Sequence, residues 1–135
     1  MAPAVLMACR NEERAARAAE AIRRRVPRAS VETRPLDLAS LASVDALATS
    51  VRATEPSLAI LVNNAGLMRV DQGRTADGFE TQFGVNHLGH FALTQGLLDV
   101  LLATPGSRVV TMSSMGHRAG RMHFDDLMYE RRYRT

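Results

Sequence analysis

Lysine is missing from this chain of 135 residues, so its 17 basic side chains are all arginines, set against 14 acids for a formal charge of +3. A basic balance is compatible with nucleic-acid binding, but these arginines are spread along the chain and form no patch. The one cluster, Arg23-Arg24-Arg25, stands near the expected end of a helix, where cations favour the dipole. No nucleic-acid partner is expected. Cysteine is nearly absent too: Cys9 alone rules out an intrachain disulfide and suits a reducing compartment, so a cytoplasmic location is expected. No apolar run approaches the ~20 residues that cross a bilayer. The apolar start of the chain has no basic region before it, which argues against a signal peptide. Internal repeats and low-complexity linkers are also lacking. What remains is 46% apolar, enough for one globular domain over residues 1–135.

Strand-like and helix-like stretches alternate along the chain. Residues 4–8 are a short apolar run, and Asn11-Glu12-Glu13 then supply an N-cap and an acidic first turn. Ala15, Ala18, Ala19, Ile22 and Val26 recur at helical spacing and predict an amphipathic helix ended by Pro27. Residues 31–36 read as a second strand closed by Asp37. Ser40 reads as the cap of a helix whose apolar face is Leu41, Val44, Leu47, Ala48 and Val51. Beyond Pro56, a continuous apolar run at 58–62 has the pattern of a strand buried on both faces.

Residues 67–76 read as a polar loop. Asp77 and Glu80 then have the spacing of a capping box, opening the long helix Phe79–Leu102. Phe79, Phe83, Asn86, His90, Leu93, Leu97 and Leu101 fall along one face of it, which would bury the Asn86 amide. Gly84, Gly89 and Gly96 each lose about 1 kcal/mol relative to alanine inside a helix, which predicts close backbone packing at those points. Pro105-Gly106 stops the helix, residues 109–112 are the next buried strand, and no further element is evident after Ser114. Strands alternating with helices of this length predict parallel β-α-β units with helices on both faces of the sheet, a doubly wound α/β fold.

The run at 58–62 ends in Asn63-Asn64-Ala65-Gly66: two amides and two small residues at a strand's carboxyl end, where open α/β sheets bind ligands. This stretch resembles the NNAG signature of the short-chain dehydrogenases/reductases. Val85-Asn86-His87-Leu88-Gly89-His90-Phe91 and Arg108-Val109-Val110-Thr111-Met112-Ser113-Ser114 follow it as in that family's retinol-dehydrogenase-like branch. Three segments in order carry the resemblance, which extends over nearly the whole chain. It implies a Rossmann-like NAD(P)-binding domain whose second strand is the first one here. The preceding strand and its Gly-rich phosphate turn would lie before Met1, and no Gly-x-x-x-Gly-x-Gly turn occurs in the sequence. The resemblance therefore implies an incomplete sheet, which either closes a gap or stands as two half-sheets with exposed edges.

The same resemblance implies roles. Asn63, Asn64, Ala65 and Gly66 would let the cofactor's ribose approach the backbone, since small residues leave room. Arg10 stands where NAD-specific relatives carry an acid, and an arginine there pairs with a 2′-phosphate, implying NADP in preference to NAD. Asp37 and Leu38 match the position that contacts the adenine ring. Asn86 is assigned to a catalytic tetrad, where it helps hold a proton-relay water. Ser114 is assigned the hydrogen bond to the substrate carbonyl oxygen as charge develops on it, with Ser113 structural. His87 and His90, without acidic or cysteine companions, make no metal site. Ser114, His117 and Asp125 raise the idea of a hydrolase triad, against which stands the lack of a Gly-x-Ser-x-Gly elbow.

The family's remaining pair is a Tyr acid/base and, four residues on, a Lys that depresses its pKa. Neither Tyr129 nor Tyr133 is followed by such a Lys, and the resemblance places the pair beyond Thr135, with Tyr133 a neighbour and not the acid. The expectation is an NADP-preferring oxidoreductase interconverting an alcohol and a carbonyl on an apolar small molecule, this chain being an inactive fragment of it. Self-association through the Phe79–Leu102 helix is a further implication. A truncated non-enzymatic remnant and a dinucleotide-binding regulator are the alternatives.

Overall fold

Strand β1 (Ala4–Cys9), helix α1 (Glu12–Arg25) and strand β2 (Ser30–Pro35) follow one another in the computed structural model, which describes residues 4–131 and 133. The helix begins because Asn11 Oδ1 accepts the Arg14 amide at 2.8 Å, with Glu12 and Glu13 in the first turn and three arginines in the last. β1 and β2 pair in parallel, Ala4 opposite Ser30 through Cys9 opposite Pro35, and the Leu36 amide donates to the Cys9 carbonyl at 3.1 Å. These elements make up one compact unit, Met1–Asp37; the second is Leu38–Thr135. Only Ala15 and Ala19 of α1 are buried, while Ile22 and Val26 of the expected apolar face are exposed. Two strands about 5 Å apart offer too narrow a sheet to cover five helical positions.

In the second unit, Ser40 caps helix α2 (Leu41–Thr54) through Ser43, and strand β3 (Ile60–Asn63) follows. Residues 73–81 form a tight hairpin in which Thr75 and Phe79 pair, with Gly78 at φ 85° completing the turn. The chain then runs through α3 (Thr81–Phe83), a π turn (Gly84–Leu88), α4 (Gly89–Gly96) and α5 (Leu98–Ala103) to strand β4 (Arg108–Thr111). A 3-10 turn, Met115–Arg118, comes after it. β3 and β4 are parallel, Ile60 opposite Arg108 through Asn63 opposite Thr111. α2 packs on α4, and the core is Val44, Leu47, Ala48 and Val51 with Leu93, Leu97 and Leu101.

The strands and helices alternate as the periodicity predicts, and both sheets are parallel. Each has two strands, and among the described residues no strand joins them. Three expectations need correction. The helix is not one continuous cylinder opened by a capping box: Glu80 alone caps it, its carboxylate accepting Gln82 and Phe83 amides at 2.9 and 2.7 Å. Asp77 instead accepts the Leu41 amide at 2.8 Å and so caps α2. The second correction concerns Asn86, which is exposed; the π turn inserts extra backbone and rotates it off the stripe that His90, Leu93, Leu97 and Leu101 keep buried. Third, β3 and β4 are not buried on both faces: Ile60 and Val62 of β3 are exposed, and so is every residue of β4, Val109 and Val110 included.

The helical glycines do mark close approach. A Cβ on Gly89 would stand 2.6 Å from the Leu38 carbonyl oxygen, and one on Gly96 would stand 2.8 Å from the Ala48 Cβ. Those two contacts set how near α4 comes to the start and middle of α2.

Candidate functional site

The site is built at the carboxyl ends of β3 and β4. Because the strands are parallel and Asn63 lies opposite Thr111, residues 64–66 and Ser114 leave the same edge of the sheet. Asn63 itself is buried, 5% exposed, with its carboxamide turned toward α4. Its Nδ2 donates to Thr94 Oγ1 at 3.0 Å and to Thr111 Oγ1 at 3.4 Å, tying both strands to the helix. Asn63 Oδ1 has no hydrogen-bond partner among the described residues. Asn64, Ala65 and Gly66 are exposed.

Asn86 comes to the same turn from the helix. Its Oδ1 accepts the Leu67 amide at 2.9 Å and its Nδ2 donates to the Leu67 carbonyl at 2.8 Å. The structure thus brings Asn86 against the residue that follows Gly66, and Asn86 Oδ1 lies 3.6 Å from where a Gly66 Cβ would be. The π turn that positions it has Gly89 N–H reaching back to the Gly84 carbonyl. Such turns recur at functional sites because they re-aim one side chain within a helix. No periodicity rule finds one from sequence.

Ser114 follows β4 and caps the short 3-10 turn, its Oγ accepting the Gly116 amide at 3.1 Å. His117 Nδ1 donates to the Ser114 carbonyl at 2.5 Å, so its ring engages the backbone and not the hydroxyl, and no Ser-His dyad forms. Tyr133 donates its hydroxyl to the Val70 carbonyl at 2.6 Å and accepts from Gln82 Nε2 at 3.2 Å. Tyr129 adopts a left-handed backbone, φ 48°. A cleft of 720 Å³ opens beside these tyrosines, lined by Glu80, Gln82, Phe83, His123, Asp125 and Tyr129 among others; Asp125 borders it without Ser114 or His117, and none of the cofactor or catalytic residues implied by the resemblance does.

The remaining predicted residues are distributed differently. Arg10 is exposed one position past β1, and Asp37 stands two positions past β2, both at the carboxyl edge of the first unit's sheet. Leu38, in the second unit, is buried and its Cβ faces Gly89, so its side chain packs the helix. Among the described residues no three His, Cys, Asp or Glu side chains gather as a metal site, and no helix is long and apolar enough to cross a membrane.

The donor set fits part of a dinucleotide. The turn at 64–66 is exposed and ends in two small residues, and a Cβ on Gly66 would meet only the far end of the Asn86 side chain, at 3.6 Å, beyond its chain neighbours. That suits a ribose and a carboxamide ring lying against backbone. A phosphate-binding turn of the Gly-rich type has no counterpart in the sequence.

Comparison with known proteins bears on the family and the fold. The short chain dehydrogenase family model matches residues 2–126. Human retinol dehydrogenase 13 is 48% identical over 132 residues, covering 97% of this chain and 40% of that protein. The chain therefore spans about two fifths of the length of the curated relatives it matches. A crystallised protein from Mycobacterium Paratuberculosis superposes with a TM-score of 0.76 at 42% identity, covering 97% of this chain and 44% of the other. A short chain dehydrogenase from Escherichia coli CFT073 complexed with NADPH gives a TM-score of 0.71 at 28% identity, over 92% of this chain and 53% of that one. By its sequence signature, its parallel α/β architecture and these matches, the chain belongs to the short-chain dehydrogenase family, with retinol dehydrogenases among its relatives.

Proposed function

We propose that this chain carries residues of an NADP(H) site, those for the nicotinamide ribose among them, in an oxidoreductase that interconverts an alcohol and a carbonyl. The observation that supports it most is the Asn86 carboxamide gripping Leu67 at the end of the exposed turn 64–66, with Ser114 leaving the same sheet edge. A nicotinamide cofactor supplies the hydride. The chain's own contribution is to hold the ribose against residues 64–66 and to offer the Ser114 hydroxyl to a carbonyl oxygen. That hydroxyl caps the Gly116 amide as an acceptor, which leaves its proton available for donation. Arg10, exposed after β1 with no acid at positions 7–10, favours a 2′-phosphate and hence NADP.

An apolar substrate is in keeping with the retinol dehydrogenases among the relatives. Exposed Phe91, Leu98 and Leu102 along α4 and α5 favour self-association through that helical run. With no lysine in these 135 residues to lower a tyrosine pKa, the chain is proposed to bind cofactor weakly and not to turn it over. The test is NADPH oxidation with a panel of apolar aldehydes, paired with calorimetry. Turnover above a Ser114→Ala control would overturn the inactivity. Absence of any heat of binding for both NADPH and NADH would remove the dinucleotide site itself.

A further inference from the structure

We propose that His90 is a positioning residue: buried at the start of α4, it donates Nδ1–H to the Asn86 backbone carbonyl and holds the π turn that aims Asn86 at Leu67. The observation is a ladder of contacts with a shared origin and end. Asn63 Nδ2 donates to Thr94 Oγ1 at 3.0 Å, Thr94 Oγ1 donates to the His90 carbonyl at 2.8 Å, and His90 Nδ1 meets the Asn86 carbonyl at 3.1 Å. Asn86 then closes on Leu67 with both ends of its amide. The ladder starts at Asn63 and finishes at Leu67, so the exposed turn 64–66 is strung between two anchors on one helix. His90 is the rung that joins them.

Two features argue that the imidazole is there for its hydrogen bond. A histidine 6% exposed sits where a leucine or valine would fill the same space without desolvating a polar ring. The bond also falls at the junction of the π turn and α4, where the backbone ladder changes from five-residue to four-residue spacing. A carbonyl only accepts, so the geometry assigns the proton to Nδ1. Asn86, His90 and Thr94 follow one another at four-residue intervals, and the ladder needs a donor at the middle position. The hold of His90 on the turn does not depend on the proposed function.

The experiment therefore reads the turn and not turnover. Long-range proton–nitrogen correlation on the full chain reports the His90 tautomer, and amide exchange reports Leu67. Expected is the Nδ1–H form, the less usual tautomer of a neutral ring, together with a slowed Leu67 amide. His90→Leu keeps the bulk and removes the donor; it should speed Leu67 exchange about tenfold relative to the Val51 amide of α2. His90→Asn carries an N–H on the same atom position as Nδ1 and should restore the protection to within about twofold. An Nε2–H tautomer, or a folded His90→Leu with Leu67 exchange unchanged, overturns the proposal. Should His90→Leu not fold, His90→Asn decides: a folded His90→Asn with an unprotected Leu67 also overturns it. Cofactor binding plays no part in these readouts, so failure of the dinucleotide reading would leave them intact and separately interpretable.

Discussion

Asn86 and Leu67 are joined by two hydrogen bonds, one in each direction, at 2.9 and 2.8 Å. A side-chain amide is the one group that satisfies both a backbone N–H and its own C=O with a single plane. Asn86→Ala should therefore lower stability by about 1–2 kcal/mol, the net worth of two exposed neutral hydrogen bonds. Asn86→Asp keeps the acceptor but sets a carboxylate against the Leu67 carbonyl, and should be at least as damaging. Urea unfolding of the two variants checks this; an unshifted midpoint for both would show that the clamp carries no energy.

Gly89 predicts a sign that helix propensity alone gets wrong. Replacement by alanine inside a helix gains about 1 kcal/mol where space allows. Here the new Cβ would meet the Leu38 carbonyl oxygen at 2.6 Å and the Leu38 Cα at 3.2 Å, backbone that cannot swing aside. Overpacking of this kind loses about 1–3 kcal/mol, so Gly89→Ala should be net destabilising in thermal unfolding. A raised melting temperature would mean that Leu38 moves freely.

Glu80 and Asp77 separate two caps that sit three residues apart. Glu80 is 4% exposed and its carboxylate takes both the Gln82 and the Phe83 amide. Glu80→Ala should cost about 1–2 kcal/mol, the upper end for a lost N-cap. Asp77→Ala, which frees an exposed Leu41 amide of α2, should cost about 0.5–1 kcal/mol. Because the two carboxylates cap different helices, the double variant should lose the sum of the single losses. Denaturant titration of all three variants measures it, and strong coupling would point back to a reciprocal capping box.

Asp77 also shows where reading the sequence stops. Local signals were legible: the caps at Asn11 and Ser40, the strand and helix order, and glycines that mark close packing all follow from neighbours within a few positions. Asp77 and Glu80 have capping-box spacing, yet Asp77 reaches an amide 36 positions earlier in sequence, a partner that no local pattern names. Asn86 falls on the buried stripe only if a 3.6-residue period runs through residues 84–88. A π turn breaks that period, and it is maintained by tertiary contacts such as those of His90. The pairing of Asn63-Asn64-Ala65-Gly66 with Asn86 was legible only through family resemblance. The inward turn of Asn63 needed the structure.

The apolar run at 58–62 illustrates a different limit, and it carries the last prediction. An all-apolar strand states a demand for burial on both faces; whether anything covers them is decided elsewhere. Asn63 and Thr111 lie opposite one another and share the face turned to α4. By the two-residue period of a strand, Val62 and Val110 occupy the other face, with Ile60 and Met112 flanking them. These four are 53%, 44%, 53% and 58% exposed respectively, a contiguous apolar strip on a short sheet. Strips of this kind attract apolar probes and other copies of the chain. Threonine keeps the β-branch and nearly the shape of valine, so Val62→Thr with Val110→Thr should leave the melting temperature almost unchanged, within about 1 kcal/mol of stability. The same pair should reduce binding of an environment-sensitive apolar dye and lower the light scattering of concentrated solutions. Val44→Thr, buried in the core, serves as the contrast and should destabilise while leaving the strip intact. Unchanged dye binding in the double variant would mean that the strip is covered in solution.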